Sequence, residues 1–195
     1  MDDDLTLYFA PGASSMAPHI ALHEIGCRFE ARPVSFRRDE TRSAAFRAIN
    51  PEGKVPTLLI GDRILTEVAG ILYYLARRYP EARLMPANDP EAEARVVSWM
   101  SFIASSVHPA RRAGLEAAMQ VYALADARLG PGWAVSDYSI ADIHLFRLYW
   151  RFAASLRPPP GSFPNLEAHH ARMLARPAVI RTIEAESAVG YELPA

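Results

Sequence analysis

The chain has 195 residues, and half of them are hydrophobic, which is enough for one large core or two small ones. Its 21 basic and 22 acidic residues nearly balance, which argues against the basic excess typical of nucleic-acid-binding proteins. Cys27 is the only cysteine, so no disulfide framework or cysteine-rich metal site is expected. The sequence shows neither a secretory signal pattern nor an apolar run of the roughly 20 residues that a membrane span needs, so we expect a soluble cytoplasmic protein.

Residues 1–80 alternate short apolar runs with helical ones. The predicted strands are Leu5–Phe9, Phe29–Val34, Thr57–Ile60 and Arg63–Leu65, the last two joined by a hairpin turn at Gly61-Asp62. The predicted helices run from Ser14 to His23 or Ile25, over Arg42–Ala48 as a short or irregular helix, and over Glu67–Tyr79. This order, β-α-β-α-β-β-α, predicts an α/β sheet with helices packed on it.

Residues 81–89 form a proline-containing linker in this interpretation, and residues 90–195 are predicted to be all-helical. One buried helix face is predicted from apolar residues at helical spacing, namely Val97, Met100, Ala104 and Val107. Ser139-Ile140-Ala141-Asp142 has the form of a capping box at the start of a further helix. Two short helices are expected near Asn165–Ala175 and Ala178–Glu186, with the adjacent His169 and His170 at the surface.

Four sequence strings carry the strongest functional signal. They are NPEGKVPTL (50–58), LTEVAGILYYLA (65–76), YSIADIHLF (138–146) and FPNLEAHHARMLARPAV (163–179). In this order they resemble the cytosolic glutathione transferases, and the resemblance covers nearly the whole chain. The opening LYFAPGASSMAPHIALHEIG (7–26) is most similar to the bacterial beta class, although Ser14 stands where that class has a cysteine. The resemblance implies a thioredoxin-like N-terminal domain followed by an all-helical C-terminal domain.

The resemblance also implies where glutathione binds. An extended peptide binds an edge strand by main-chain pairing, and Val55-Pro56, joined by a cis bond in the family, is the implied docking point. Glu67 would bind the γ-glutamyl ammonium, while the start of the same helix receives the α-carboxylate; a simple helix cap is the alternative for Glu67. Many relatives have serine at the next position, so Val68 implies weaker binding rather than none.

Three further residues are candidates for contacts with glutathione. Arg37 and Arg38 follow the second strand, where relatives place a base for the glycyl carboxylate, and a guanidinium suits a carboxylate well. An exposed, solvated charge is the alternative for both arginines. Ser101, on the long helix of the second half, is a candidate for a further contact with the ligand.

The enzyme has to hold the glutathione thiol, whose ordinary pKa is near 8.5, as a thiolate at neutral pH. A hydroxyl at a helix N-terminus does this, because its hydrogen bond and the helix dipole both favour the anion. Ser14 lies where such a donor belongs, with an N-cap as its alternative role and Ser15 as another possible cap. Tyr8, on the first strand, and His108, which matches a beta-class histidine, are the other candidates.

The expected protein is a homodimeric glutathione transferase that uses glutathione as a co-substrate and adds its thiolate to a small hydrophobic electrophile, as in detoxification. No cofactor and no metal are expected; His19 and His23 have metal-ligand spacing, but no third ligand is suggested nearby. Two alternatives remain. One is a glutathione-dependent isomerase, dehalogenase or lyase, and the other is a non-catalytic binding module that keeps the fold.

Overall fold

The computed structural model describes residues 4–193, which group into two compact units. One unit holds the described residues up to Leu75 together with those from Pro177 onward, and the other spans Ala76–Arg176. The domain boundaries predicted from the sequence, 1–80, 81–89 and 90–195, stay a prediction. The last helix, which begins at Pro177, belongs to the same unit as the N-terminal residues because it packs along the first helix.

The N-terminal unit is built on a four-stranded sheet. Its strands are β1 (Leu5–Phe9), β2 (Glu30–Pro33), β3 (Thr57–Ile60) and β4 (Arg63–Thr66), in the order β2-β1-β3-β4. β2 runs parallel to β1, whereas β3 is antiparallel to both β1 and β4. The predicted strands and the hairpin at Gly61-Asp62 are therefore confirmed, with the second strand one residue shorter at each end and the fourth strand ending one residue later than predicted.

Nine α-helices lie within the described residues. They are α1 (Met16–Ile25), α2 (Ala44–Ile49), α3 (Val68–Arg78), α4 (Pro90–Phe102), α5 (His108–Ala110), α6 (Leu115–Leu129), α7 (Ile140–Leu156), α8 (Pro164–Leu174) and α9 (Pro177–Val189). Ile103–Val107, between α4 and α5, forms a turn of π-helix. None of the helices that the structure describes is long and apolar enough to cross a membrane.

Local sequence signals explain where these helices begin and end. α1 stops at Gly26, whose left-handed conformation lets its N–H donate to the Leu22 carbonyl. α4 begins after Asp89, whose side chain accepts from the Ala92 N–H. α7 starts with the predicted capping box between Ser139 and Asp142, which is confirmed.

The predicted buried face of the long helix is wrong in part. Val97 is 50% exposed and Ala104 is exposed, whereas Val96 and Ile103 are completely buried. The sequence is apolar on both sides of this helix, so residue spacing alone does not select the face that is buried. The π-helical turn, which inserts an extra residue into the helix, has no signal in the pattern.

The predicted surface position of His169 is also wrong. His169 is completely buried, and its Nε2 lies 3.1 Å from Asp142 Oδ1. The neighbouring His170 is half-buried, and burial lowers the pKa of its imidazole. Asp142 thus serves both the α7 capping box and a buried contact with α8, so one carboxylate joins the start of α7 to α8.

Candidate active site

One end of the sheet brings the functional segments together. Tyr8 pairs with Thr57, Phe9 pairs with Pro33, and Thr57 pairs with Thr66, so β1, β2 and β4 end where β3 begins. The loops that leave β1 and β2, the segment that enters β3 and the start of α3 therefore meet at this end. These loops and the start of α3 carry the residues that the sequence predicted to bind glutathione, except Ser101.

The segment that enters β3 presents a cis peptide bond. The bond between Val55 and Pro56 is cis, as the family resemblance implies. The buried side-chain amide of Asn50 donates to the Lys54 carbonyl and to the Thr57 hydroxyl, both at 2.9 Å. These bonds hold the turn in place, so the main chain of Val55 has a fixed position for pairing with an extended peptide.

Ser14 lies beside this docking segment. Its hydroxyl is half-buried and donates to the Val55 carbonyl at 3.2 Å. Ser15 is completely buried, and its Oγ accepts from the Ala10 N–H at 3.1 Å and donates to the Ala10 carbonyl at 3.2 Å. Ser15 stands at the N-cap position of α1, but its hydroxyl makes no capping hydrogen bond there. The Ser14 hydroxyl donates to Val55 instead of capping the helix, so the N-cap alternative is wrong for Ser14. The structure places the Ser14 hydroxyl beside the main chain of Val55.

The loop that carries Ser14 is fixed by a buried carboxylate from α9. The Gly12 N–H donates to Glu186 Oε2 at 2.6 Å, and His19 Nδ1 lies 2.9 Å from Glu186 Oε1. His19 and Glu186 are both almost completely buried. A buried carboxylate needs such partners, and they in turn hold Gly12, two residues before Ser14. No pattern in the sequence indicates this contact, which joins residues 174 positions apart.

The two histidines of α1 both contact side chains of α9: His19 contacts Glu186, and His23 contacts Thr182. His23 Nδ1 lies 2.8 Å from the Thr182 hydroxyl of α9, and burial together with the neighbouring His19 lowers the pKa of His23 to about 4. Across residues 4–193, no group of three or more His, Cys, Asp or Glu side chains is arranged to hold a metal ion. The histidine spacing in α1 thus serves the packing of α9 on α1.

Glu67 and Val68 lie at the start of α3. Glu67 has a φ of 63°, which is uncommon for a residue with a side chain, and its side chain is exposed. Such left-handed residues cluster at functional sites, where the surrounding structure holds them in place. Val68 is 7% exposed, so its side chain packs inward while its N–H belongs to the first turn of the helix.

The arginines after β2 are both exposed. Arg38 Nε donates to Glu40 Oε1 at 2.8 Å, and this bond raises the pKa of the Arg38 guanidinium. Glu40 also accepts from the Ser35 N–H at 2.7 Å, so it ties Arg38 to the loop that leaves β2. Arg38 therefore has a carboxylate partner within its own loop.

Tyr8 has a different set of partners from Ser14. Its ring packs edge-on against Phe46, with centroids 5.7 Å apart, and its hydroxyl accepts from Arg32 Nη1 at 2.9 Å. The ring is a member of an apolar cluster that also contains Ala13 and Val55. Tyr8 is thus close to the docking segment, with its hydroxyl bonded to the neighbouring strand.

Ser101 and His108 belong to the helical unit. Ser101 is exposed near the end of α4, and His108 is half-buried directly after the π-helical turn. Burial, and then the charges of Arg147, Arg112 and Arg111, lower the pKa of His108 to about 4. At neutral pH the imidazole is therefore uncharged, so it can act as a hydrogen-bond donor or acceptor but not as a cation.

Comparisons with known proteins agree with this arrangement. Residues 3–77 match the family described as glutathione S-transferase, N-terminal domain, and residues 89–177 match glutathione S-transferase, C-terminal domain. Glutathione S-transferase GstA of Escherichia coli O157:H7 is 30% identical over 202 residues, covering 93% of this chain and 98% of GstA. The chain belongs to the glutathione S-transferase family of enzymes.

Two further comparisons describe relatives of different kinds. A sphingomonad glutathione S-transferase, solved in complex with glutathione, is 34% identical with a TM-score of 0.82, covering 93% of this chain and 98% of that one. The maleylacetoacetate isomerase of Pseudomonas aeruginosa PAO1 is 33% identical over 105 residues, covering 52% of this chain and 49% of the isomerase.

Proposed function

We propose that the protein binds glutathione, stabilises its thiolate and adds it to a small hydrophobic electrophile. The observation that carries this proposal is the position of the Ser14 hydroxyl, 3.2 Å from the Val55 carbonyl at the cis peptide bond. The hydroxyl that would donate a hydrogen bond to the thiolate is thus bonded directly to the main chain on which a cysteinyl residue would dock.

The strand order supports a direction for the bound tripeptide in this proposal. Val55 enters β3, Glu67 follows β4 on one side of it, and the β1 and β2 loops lie on the other side. With the cysteinyl unit paired to Val55, the γ-glutamyl group reaches Glu67 and the N-terminus of α3, which favours a carboxylate. The glycyl end then points towards the loop after β2, with Arg38 nearby.

The chemical step follows from the hydrogen bond that Ser14 makes. When the cysteinyl N–H donates to the Val55 carbonyl, the Ser14 hydroxyl is able to turn to the sulfur and donate to the thiolate. Lowering the thiol pKa from about 8.5 to about 6.5 raises the thiolate fraction at pH 7 from about 3% to about 75%. The proton leaves to solvent, and the sulfur lone pair forms the new bond to the electrophilic carbon. In a substitution the halide or aryloxide leaves with its bonding electron pair; in an addition to an enone the C=C π pair moves towards the carbonyl oxygen and takes up a proton from solvent.

Other residues assist thiolate formation and substrate binding in this proposal. Tyr8 is the second candidate donor, and a neutral His108 and Ser101 are candidates for contacts to the thiol or to the second substrate. Homodimerisation is also proposed, supported by apolar side chains that lie exposed on two helices: Tyr73 of α3 is 46% exposed and Val97 of α4 is 50% exposed. We further propose that the protein acts in the cytoplasm and needs no cofactor besides glutathione.

A second candidate is an enzyme that uses the same thiolate for isomerisation, dehalogenation or ether cleavage. The similarity of about half of the chain to maleylacetoacetate isomerase favours it. Turnover with a panel containing a chlorinated nitroarene, a haloalkane, an aryl ether and a cis-enone separates these activities. Conjugation of the nitroarene alone supports the transferase, whereas exclusive turnover of one of the others supports the alternative.

The test of the proposal is a calorimetric titration with glutathione, followed by the electrophile panel. We expect saturable binding at millimolar glutathione or below, and conjugation of at least one electrophile. A lack of binding at millimolar concentrations would contradict the enzyme and leave a binding module. Binding without any turnover would restrict the function to ligand capture.

A further inference from the structure

The four residues Gly190–Leu193 follow α9 and cross the candidate site. Gly12 has a φ of 69°, and a Cβ added there would lie 3.0 Å from both Leu193 Cδ1 and Tyr191 Cδ1. Leu193 also packs against the apolar cluster that contains Ala13 and Val55. The 190–193 segment therefore covers the loop that leads to Ser14.

Glu192 of this segment is bound by the loop after β2. Its Oε1 and Oε2 lie 2.9 and 2.8 Å from the Ser35 hydroxyl, which donates to this carboxylate, and Oε2 also accepts from the Arg37 N–H at 3.0 Å. The Ser35 hydroxyl in turn accepts from the Arg38 N–H at 3.1 Å. The Arg37 N–H, followed by the Ser35 hydroxyl, lowers the pKa of Glu192, which keeps it ionised. The loop therefore forms a receptor for a carboxylate.

The position of this receptor matches one end of glutathione. Neighbouring strands lie about 4.8 Å apart, and Ser35 follows β2, two strands away from the docking segment at the start of β3. The glycyl end of a tripeptide docked at Val55 runs in that direction. Its carboxylate has the same chemistry as Glu192 and needs the same donors.

We propose that Glu192 occupies the glycyl-carboxylate position, so that the 190–193 segment is a built-in competitor of glutathione. The proposal rests on the proposed function, because it assumes that glutathione docks at Val55. The segment has to leave the Ser35 and Arg37 donors before the complete tripeptide binds. The apparent association constant for glutathione equals that of the open site multiplied by the fraction of molecules in which the donors are free. If the segment is docked about 90% of the time, the affinity is about tenfold weaker than that of the open site.

The test compares Glu192→Gln with Glu184→Gln by calorimetry. Glu184 is an exposed residue of α9, so its substitution removes the same charge without touching the loop after β2. We expect Glu192→Gln to tighten glutathione binding about tenfold and Glu184→Gln to leave it within twofold. γ-Glutamylcysteine, which lacks the glycyl unit, should bind the wild type and Glu192→Gln equally. Equal tightening of both ligands, or no tightening of glutathione, would overturn competition for the carboxylate position.

A second readout separates this proposal from the proposed function. Hydrogen exchange of the Arg37 amide, followed by NMR without ligand, reports directly on whether Glu192 is docked. We expect faster exchange in Glu192→Gln than in Glu184→Gln, and unchanged exchange would overturn the proposal by itself. If exchange increases but no variant binds glutathione, the proposed function is rejected, and competition with glutathione is rejected with it. The docking of Glu192 on the loop after β2 is then still supported.

Discussion

The two units of this chain carry their candidate functional groups in different ways. In the N-terminal unit, the main chain at one end of the sheet builds the site, and Ser14 is fixed there by Val55 on one side and by the anchored Gly12 on the other. In the helical unit, Ser101 precedes a π-helical turn along the chain and His108 follows it. Any contact that these two residues make with a ligand depends on their side chains rather than on the main chain.

Two buried histidines, one in each unit, differ in their hydrogen bonding. His19 of the N-terminal unit lies 2.9 Å from the carboxylate of Glu186. His144 of the helical unit is just as buried, and neither of its ring nitrogens has a hydrogen-bond partner among the described residues. The paired side chains of the first unit thus hold the main chain of the candidate site in place. Among residues 4–193, His144 of the helical unit lacks such a partner, whereas His169 has one in Asp142.

The largest expected effect concerns the ligand's ammonium group. Glu67→Ala should weaken glutathione binding about 100-fold, because it leaves a bound ammonium without its charge partner. Arg38→Ala should weaken binding by less than about threefold, since Arg38 is exposed and already paired with Glu40. Glu184→Ala, which removes an exposed carboxylate of α9, is the control for net charge. Calorimetry measures all three, and equal losses for Glu67→Ala and Arg38→Ala would contradict the proposed orientation.

The next effect concerns acid stability of the helical unit. Burial, and then the charges of His108 and Arg147, lower the pKa of His144 to about 3. The unfolded state, with an imidazole pKa near 6.5, therefore binds more protons, and stability falls as the pH drops from about 6.5 towards 3. By this linkage the loss is on the order of 2 kcal/mol at pH 4.5.

His144→Leu should remove this part of the acid sensitivity. Urea unfolding at pH 7 and pH 4.5 measures the change in free energy of unfolding for wild type and variant. Ile143→Val is the matched control, because it alters a fully buried neighbour without removing a titratable group. It should lower stability equally at both pH values. A His144→Leu protein as acid-sensitive as the wild type would show that other groups control the response.

The smallest expected effect concerns the first turn of α3. Val68→Ser should tighten glutathione binding roughly fivefold, because the hydroxyl adds one hydrogen bond to the α-carboxylate at the helix N-terminus. Val68→Ala removes the same isopropyl group without adding a hydroxyl, and it serves as the control. A serine variant that binds no better than the alanine variant would show that the carboxylate does not reach this residue.

The sequence was sufficient to predict the parts that short-range rules determine. Gly61-Asp62 predicted the hairpin, Ser139 and Asp142 predicted a capping box, and the family resemblance implied the cis bond at Val55-Pro56. These features depend on a few neighbouring residues, so they are visible in a short string.

The parts that were missed depend on distant contacts. Nothing near Glu186 or Glu192 in the sequence indicates that one anchors Gly12 and the other contacts Ser35. The choice between Val96 and Val97 as the buried valine of α4 depends on which neighbouring helices pack there. The hydrogen bonds of Asn50 are predictable from the sequence, because an asparagine at the end of a helix, followed by proline, often bonds to the local main chain.

The central claim, that the Ser14 hydroxyl holds the glutathione thiolate, has one direct test. Thiolate absorbance of the glutathione complex is followed against pH for the wild type, Ser14→Ala and Tyr8→Phe. The account predicts that Ser14→Ala raises the thiol pKa by one unit or more towards 8.5, with little change in affinity, because the lost bond serves the anion. Tyr8→Phe should shift it little. A shift of one unit or more in Tyr8→Phe, with none in Ser14→Ala, would contradict the assignment and make Tyr8 the donor.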